Sequence, residues 1–196
     1  MGEESLIVKE LTTSFRLDDK LTLRTFIDVD AATVFETVWR DREHLQPFMH
    51  WMTPDYDLAS AEEFIERSKK AIAEKSGQGF GIFRDEEFIG SIGFVYFDWK
   101  TRKTEIGYWI DKEDEGKGIV SSACRTLIDY AFDDLSMNRI EIRCSATNAR
   151  SAAIPERFGF TKEGVLRQSE WRNGQLHDFN VYGLLASEWS EIRLAL

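Results

Sequence analysis

Apolar and polar residues alternate over 21–26, the period of a strand with one buried face, after a polar lead-in at 12–14. Asp28 and Asp30 then offer helix N-cap chemistry. Ala32, Phe35, Val38 and Trp39 recur near helical spacing, which predicts a short amphipathic helix, and an aromatic-rich loop comes next at 47–56. A second helix begins after Ser60 and turns Phe64, Ile65 and Ile72 inward. Beyond Gly77, Gly79 and Gly81 the period changes to that of strands: 80–84, a turn at Asp85 and Glu86, 88–97, a turn over 98–102, then 104–110. Three successive strands on short turns predict an antiparallel meander. From Gly118 the apolar positions Val120, Ala123, Cys124, Leu127, Ile128, Ala131 and Leu135 keep to one helical face, the face a sheet would cover. Residues 139–145 alternate again and 149–158 read as a short helix. A strand at 165–171 turns at Asn173-Gly174 into 176–184, and 187–196 close with a helical turn or two. No repeat or linker interrupts the pattern, so a single domain is expected over 1–196, with 1–14 as an N-terminal lead-in.

Composition narrows the possibilities. The 196 residues are 42% hydrophobic and 13% aromatic, enough for a core of their own. Lys and Arg number 25 against 35 Asp and Glu, a formal charge of -10, which argues against direct nucleic-acid binding driven by phosphate neutralisation. A basic macromolecule or a small amine suits that charge better. No apolar run approaches the roughly 18–20 residues of a membrane span, and Met1-Gly2-Glu3-Glu4 lacks the layout of a signal peptide, so a cytoplasmic protein is expected. Gly2 does not read as a myristoylation site, because Leu6 stands where Ser or Thr is needed. Cys124 and Cys144 lie in apolar segments without metal-ligand or disulfide spacing; they read as buried small hydrophobes, and no metal is expected.

The candidate chemistry starts at Glu115-Gly116-Lys117-Gly118-Ile119-Val120, between a strand and a helix. Glycines permit close backbone approach, and the free N–H groups of a helix start attract an anion such as a pyrophosphate. Alone, Gly-x-Gly is also a common turn. Neither rival phosphate motif is present: no Gly-x-x-x-x-Gly-Lys-Ser/Thr occurs, and Gly77-Gln78-Gly79-Phe80-Gly81 has the wrong spacing for a dinucleotide fingerprint. The segments downstream tip the balance from plain turn to anion site: the strand Arg139-Ile140-Glu141-Ile142-Arg143-Cys144, then Asn148-Ala149-Arg150-Ser151, Arg157-Phe158-Gly159-Phe160 and Glu163-Gly164. In order and spacing the set resembles the GNAT N-acetyltransferases, in particular the branch that acetylates ribosomal-protein serine and alanine N-termini. Asn173-Gly174-Gln175-Leu176-His177-Asp178 with Tyr182 also fits that branch, and the resemblance spans about 17–189. Two positions depart from it: Glu115 stands where Gln or Arg is usual, and Val120 where Gly or Ala is usual. Glu113, Asp114 and Glu115 bring negative charge to a proposed anion site, with Lys112, Lys117 and Arg150 as the nearby cations.

The resemblance implies an α/β GNAT (acyl-CoA N-acyltransferase) fold, a mixed and mostly antiparallel sheet splayed at the cofactor site and flanked by helices. It implies acetyl-CoA as co-substrate, bound by Ile110 at the end of its strand, by Gly116, Lys117, Gly118, Ile119, Val120 and Ser121 in the loop, and by Asn148 and Ser151. Direct transfer to a primary amine would result, with Ser151 protonating the leaving thiolate and Glu170, flanked by Ser169 and Trp171, as the base. Ser151 has a second reading, a helix-start residue that bonds backbone. Glu170 likewise has one as a solvated strand carboxylate. His177 is the second choice of base, and reads equally as a structural turn histidine beside Asp178. His44 and His50 read as pocket lining or plain surface; Phe48, Trp51 and Tyr56 read as an acceptor wall or as anchors of their own loop. Neither cysteine is needed. The acceptor implied first is the N-terminal α-amine of a ribosomal protein, whose pKa of about 8 makes it easy to deprotonate. A polyamine or aminoglycoside acceptor, or a CoA-binding module without catalysis, are the alternatives, and a homodimer is a habit of the family.

Overall fold

The computed structural model describes residues 10–195, so the start of the lead-in, including Gly2 and Leu6, and the terminal Leu196 lie outside the described residues. Strands β1 (Ser14–Arg16) and β2 (Leu21–Arg24) lead to helices α1 (Asp30–Arg40), α2 (Arg42–Leu45) and α3 (Leu58–Ala73). The meander β3 (Gln78–Arg84), β4 (Glu87–Asp98) and β5 (Lys103–Ile110) comes next, then a 3₁₀ turn (Lys112–Asp114) and α4 (Ile119–Asp129), which runs into a π turn (Tyr130–Asp134). The chain continues through β6 (Arg139–Ser145), α5 (Ala149–Arg157), the hairpin β7 (Thr161–Arg172) and β8 (Gln175–Leu185), and α6 (Ala186–Ile192). Among the described residues eight strands form one sheet in the order β1-β2-β3-β4-β5-β6-β8-β7. Every neighbouring pair is antiparallel except β5 and β6, which are parallel.

That exception opens the site. β5 pairs with β6 only over residues 103–105 and 139–141, while β6 keeps its full register with β8 from Arg139↔Leu185 to Ser145↔Phe179. Beyond Glu105 the two parallel strands therefore part. An irregularity in β4 between Phe94 and Phe97, where two residues are left unmatched by β5, bends the sheet beside the gap.

Two cores sit on opposite faces of the sheet. Ile82 and Ile89 join Ala123, Cys124, Leu127 and Ile128 of α4, whereas their chain neighbours Phe83 and Phe88 join Val34, Val38 and Ile65 of α1 and α3. Successive strand side chains point to opposite faces, so adjacent residues feed different cores. Both cysteines are buried, as expected.

Several local expectations shift. In α1 the inward face is Ala31, Val34 and Val38, with Ala32 and Trp39 exposed, because the helix is rotated by one position from the predicted stripe. Asp30 is no cap: it is the first helical residue, and its carboxylate accepts from both terminal nitrogens of Arg24 and from the Ile27 N–H. Asp28 does not cap either; Val29 holds that position without a side-chain bond, and the Asp28 carboxylate pairs with Lys69. Helix α3 starts at Leu58 since Asp57 and Ser60 form a reciprocal capping box. β7 begins at Thr161 rather than 165, an edge strand so exposed that alternation gives little sign of its start.

Candidate active site

The parting of β5 from β6 leaves backbone donors without a strand partner. The Asp111 N–H donates to Ile89 O on the β4 side at 2.8 Å. Successive N–H groups of an extended strand point to opposite edges, so Ile110 and Tyr108 turn theirs toward β6, where pairing has ceased. Across the gap lies the start of α5. Asn148 caps it, its Oδ1 accepting from the Ser151 N–H at 3.0 Å. The Ser151 hydroxyl donates to the Tyr108 phenol at 3.3 Å, and that phenol donates to Ser151 O at 2.9 Å. Ser151 thus belongs to a capped helix start, and it lines the cavity beside Tyr108. Burial holds the Tyr108 phenol well above its ordinary range, so it stays protonated. Burial pushes the Cys124 thiol up and the Cys144 thiol likewise, which keeps both out of nucleophilic chemistry.

At the next loop, Gly116 (φ 74°) and Gly118 (φ 79°) are both left-handed, a conformation that disfavours any side chain although a Cβ at either would meet open space. Gly118 precedes α4 and provides no side-chain cap, so the N–H groups of Ile119, Val120 and Ser121 at the helix start lack an internal acceptor. Ile119 is buried and Val120 half-buried against the α4 core. The Ser121 hydroxyl accepts from Arg157 of α5. Three of the acids around this loop are paired, and Glu113 is exposed. Glu115 accepts from Arg150, with His44 Nε2 at 3.0 Å from its other oxygen. Asp111 accepts from Arg40 at 2.8 Å. Asp114 accepts from Arg84 and from Lys117, the latter at 2.8 Å. Burial works to raise the Asp114 carboxyl, but the bonds from Lys117 and Arg84 prevail and hold it below its ordinary value. Lys117 is therefore committed to a carboxylate.

The far end of the gap opens into a cavity of about 1000 Å³ whose lining includes Tyr108, Asn148, Ser151, Phe48, Trp51 and Glu170. Glu170 is 19% exposed in its side chain and accepts from Arg172 Nη1 at 2.8 Å through Oε2. Its Oε1 lies 3.3 Å from His50 Nδ1. Trp171 is 65% exposed and does not cover the carboxylate; its environment comes from Arg172 instead. Arg172 is 3% exposed, and also donates to Phe48 O at 3.1 Å and Ser145 Oγ at 3.4 Å. It thereby ties β7 to the aromatic loop and to the end of β6. His177 sits opposite Glu170 in the hairpin, but its Nε2 is 3.2 Å from Arg172 O, a contact that braces the hairpin. His44 pairs with the loop glutamate rather than lining the cavity. The aromatic loop is anchored by its own rings, since Trp51 packs on Trp109 at 6.0 Å and Tyr56 is buried beside Phe35, and both rings line the cavity. Burial raises the Tyr56 phenol to about 12.

Sequence reasoning missed Arg172 and Tyr108. Arg172 stands immediately before the predicted Asn173-Gly174 turn, a position that ordinarily reads as surface, and Tyr108 looked like one more strand aromatic. Among the described residues no group of three or more His, Cys, Asp and Glu side chains is placed to hold a metal ion, and no helix is long and apolar enough to cross a membrane.

Comparison with known proteins agrees with this geometry. The acetyltransferase (GNAT) domain family matches residues 20–161. The Bacillus subtilis protein YdaF, which carries a ribosomal N-acetyltransferase name, is 36% identical over 175 residues, 89% of this chain and 96% of its own. The ribosomal-protein-serine acetyltransferase of Escherichia coli is 27% identical over 88% of this chain and 96% of its own. The solved structure of RimL, a ribosomal L7/L12 α-N-protein acetyltransferase in complex with coenzyme A, superposes with a TM-score of 0.83 at 25% identity, covering 88% of this chain and 97% of that one. With most of its length matched in sequence and in fold, and with the splayed strands in place, this chain belongs to the GNAT family of N-acetyltransferases.

Proposed function

We propose that the protein transfers the acetyl group of acetyl-CoA directly to a primary amine, first among them the N-terminal α-amine of a ribosomal protein. One observation carries the reading: a single cavity joins the strand gap, with Tyr108 and Ser151, to Glu170 and the aromatic loop. Thioester and amine can therefore meet without a covalent enzyme intermediate. Names among the relatives support the ribosomal acceptor, and a ribosomal acceptor fits a reaction in the cytoplasm.

The donor set fits the co-substrate. The N–H groups from Gly116 to Ser121 suit a pyrophosphate, Asn148 the pantetheine arm, and the backbone N–H of Ile110 or Tyr108 the thioester carbonyl, whose developing negative charge such donors stabilise. Acetyl-CoA supplies the activated acyl group and a thiolate leaving group. Glu170 takes a proton from the ammonium, directly or through water, and Arg172 keeps the carboxylate aimed at the cavity. Ser151 turns its hydroxyl from Tyr108 to the departing sulfur, gives it a proton, and regains one from the N–H that the nitrogen loses as the amide forms. Phe48, Trp51 and Tyr56 wall the amine side and exclude water.

Calorimetric titration with acetyl-CoA, then thiol release and mass spectrometry on ribosomal N-terminal peptides and a polyamine panel, tests the proposal. Binding with peptide-dependent release and an acetylated α-amine is the expected result. Release with polyamines alone would reassign the acceptor, and binding with no release from any amine would leave a CoA-binding module.

A further inference from the structure

Resting on the acetyltransferase reading, we propose that His50 is the proton relay of the site, carrying the proton that Glu170 takes from the amine out to solvent. Each turnover starts from an ammonium and ends in an amide and a thiol, so the N–H proton removed before attack must leave the cavity. Of the two side chains at the Glu170 carboxylate, one can take that proton up. Oε2 accepts from Arg172, whose guanidinium is a donor only and cannot take a proton up. Oε1 is the oxygen that faces His50, with Nδ1 at 3.3 Å. The carboxylate is 19% exposed and the imidazole 67%, which makes His50 the step between cavity and bulk water.

The transfers balance. The ammonium gives a proton to Oε1, leaving a neutral amine and a carboxylic acid. The acid passes it to the Nδ1 lone pair, restoring the carboxylate and leaving an imidazolium, and the imidazolium releases it to water or buffer. Imidazole suits this task because one ring nitrogen can accept a proton while the other donates one. Other charged groups facing the pair are balanced or engaged. His177 on β8 contacts Arg172 O. Glu63 pairs with Arg67 on α3, and Glu105 of β5 pairs with Arg143 of β6, on the remaining cavity walls.

The test compares wild type, His50→Gln and Glu170→Gln for acetyl-CoA affinity, KM for the amine, kcat against pH, and kcat against added imidazole. His50→Gln should bind acetyl-CoA as wild type does and keep KM, while kcat falls about tenfold, less than the roughly hundredfold or greater loss expected for the base itself. The lost kcat should recover with added imidazole. A merely structural histidine would give a loss that imidazole does not repair, and that result, or a wild-type rate and pH profile in His50→Gln, overturns the relay. If Glu170→Gln keeps the wild-type rate, the base assignment falls and the relay with it. An inactive Glu170→Gln beside a wild-type-like His50→Gln removes the relay alone.

Discussion

Replacing Arg172 by Met should destabilise the protein and misdirect Glu170. Met retains much of the aliphatic stem while deleting every donor, so the loss is that of the guanidinium. The group is 2% exposed in its side chain and serves Glu170 Oε2, Phe48 O and Ser145 Oγ. Breaking one side of a buried ion pair costs about 3–5 kcal/mol when the abandoned charge stays dry. Glu170 is 19% exposed at the wall of a cavity and keeps His50 nearby, so water compensates part of that loss. About 2–3 kcal/mol remains, in line with the cost of leaving a charged group and a carbonyl without partners. For a chain of this length that corresponds to a Tm lower by about 5–10 °C. Urea unfolding monitored by circular dichroism measures it, with Glu170→Gln and the double variant completing a cycle. If the destabilisation comes from the stranded carboxylate, removing that charge should recover about 1 kcal/mol or more in Arg172→Met/Glu170→Gln. Acetyl-CoA affinity should stay unchanged, as the loop before α4 is not among the groups Arg172 bonds. A cost below about 1 kcal/mol in Arg172→Met, or strict additivity in the cycle, would refute the reasoning.

The loop and its acids give further expected outcomes. Gly118→Ala, at φ 79° with open space around the new Cβ, should cost about 1–2 kcal/mol through backbone strain and weaken acetyl-CoA binding, read by urea unfolding and calorimetry. Glu115→Ala removes a partly exposed pair with Arg150, so stability should move by no more than about 1 kcal/mol. The same change should tighten acetyl-CoA binding, more at low salt than at high, because Arg150 is released beside the proposed anion site. Asp111 is raised by burial to about 6, with the charges of Asp114 and Asp41 adding to the rise against the Asp114 N–H bond and Arg40. A raised carboxyl binds its proton more tightly in the folded state, so this contribution is complete below the ordinary value of 3.8 and is lost as pH climbs through about 6. Wild type should therefore lose stability relative to Asp111→Asn across that interval, and parallel curves in unfolding titrations would contradict the assignment.

The parts of the fold legible in the sequence are those where one period dominates a long segment. The meander and α4 bury a whole face, so their apolar residues recur without interruption and their positions can be read directly. The rotation of α1 was not legible, because Ala31 and Ala32 are equivalent to a pattern and only the packing of Val34 and Val38 chooses between them. The short β1 has three residues and no buried side chain, and it exists through its pairing with β2 rather than through local preference. At the site, the glycines, Asn148, Ser151 and Glu170 stand in recognisable strings. Their partners do not: Arg172 and Tyr108 act through contacts 124 and 43 residues away in the chain, to Phe48 and Ser151. Pairings over such separations leave no local mark in a sequence.

The acidity of the loop, unexplained by sequence, is part of how the loop is held. Asp111 draws in Arg40 of α1, Asp114 draws in Arg84 of β3, and Glu115 draws in His44 of α2 and Arg150 of α5. Each of these three carboxylates meets a cation from a different element, so their charges are offset and the backbone is moored on several sides. Glu115 in place of Gln or Arg leaves the main-chain N–H donors of the proposed cofactor site in place, holds Arg150 away from it, and bonds α5. That helix is fixed to the phosphate end twice more, by Arg157 on Ser121 and by packing of its elements beside α4, and to the strand gap by Tyr108 on Ser151. The helix that carries Asn148 and Ser151 is thus set by the same loop that would hold the pyrophosphate. An error at Glu115 should accordingly reach Ser151 through α5, some way from the charge that was changed.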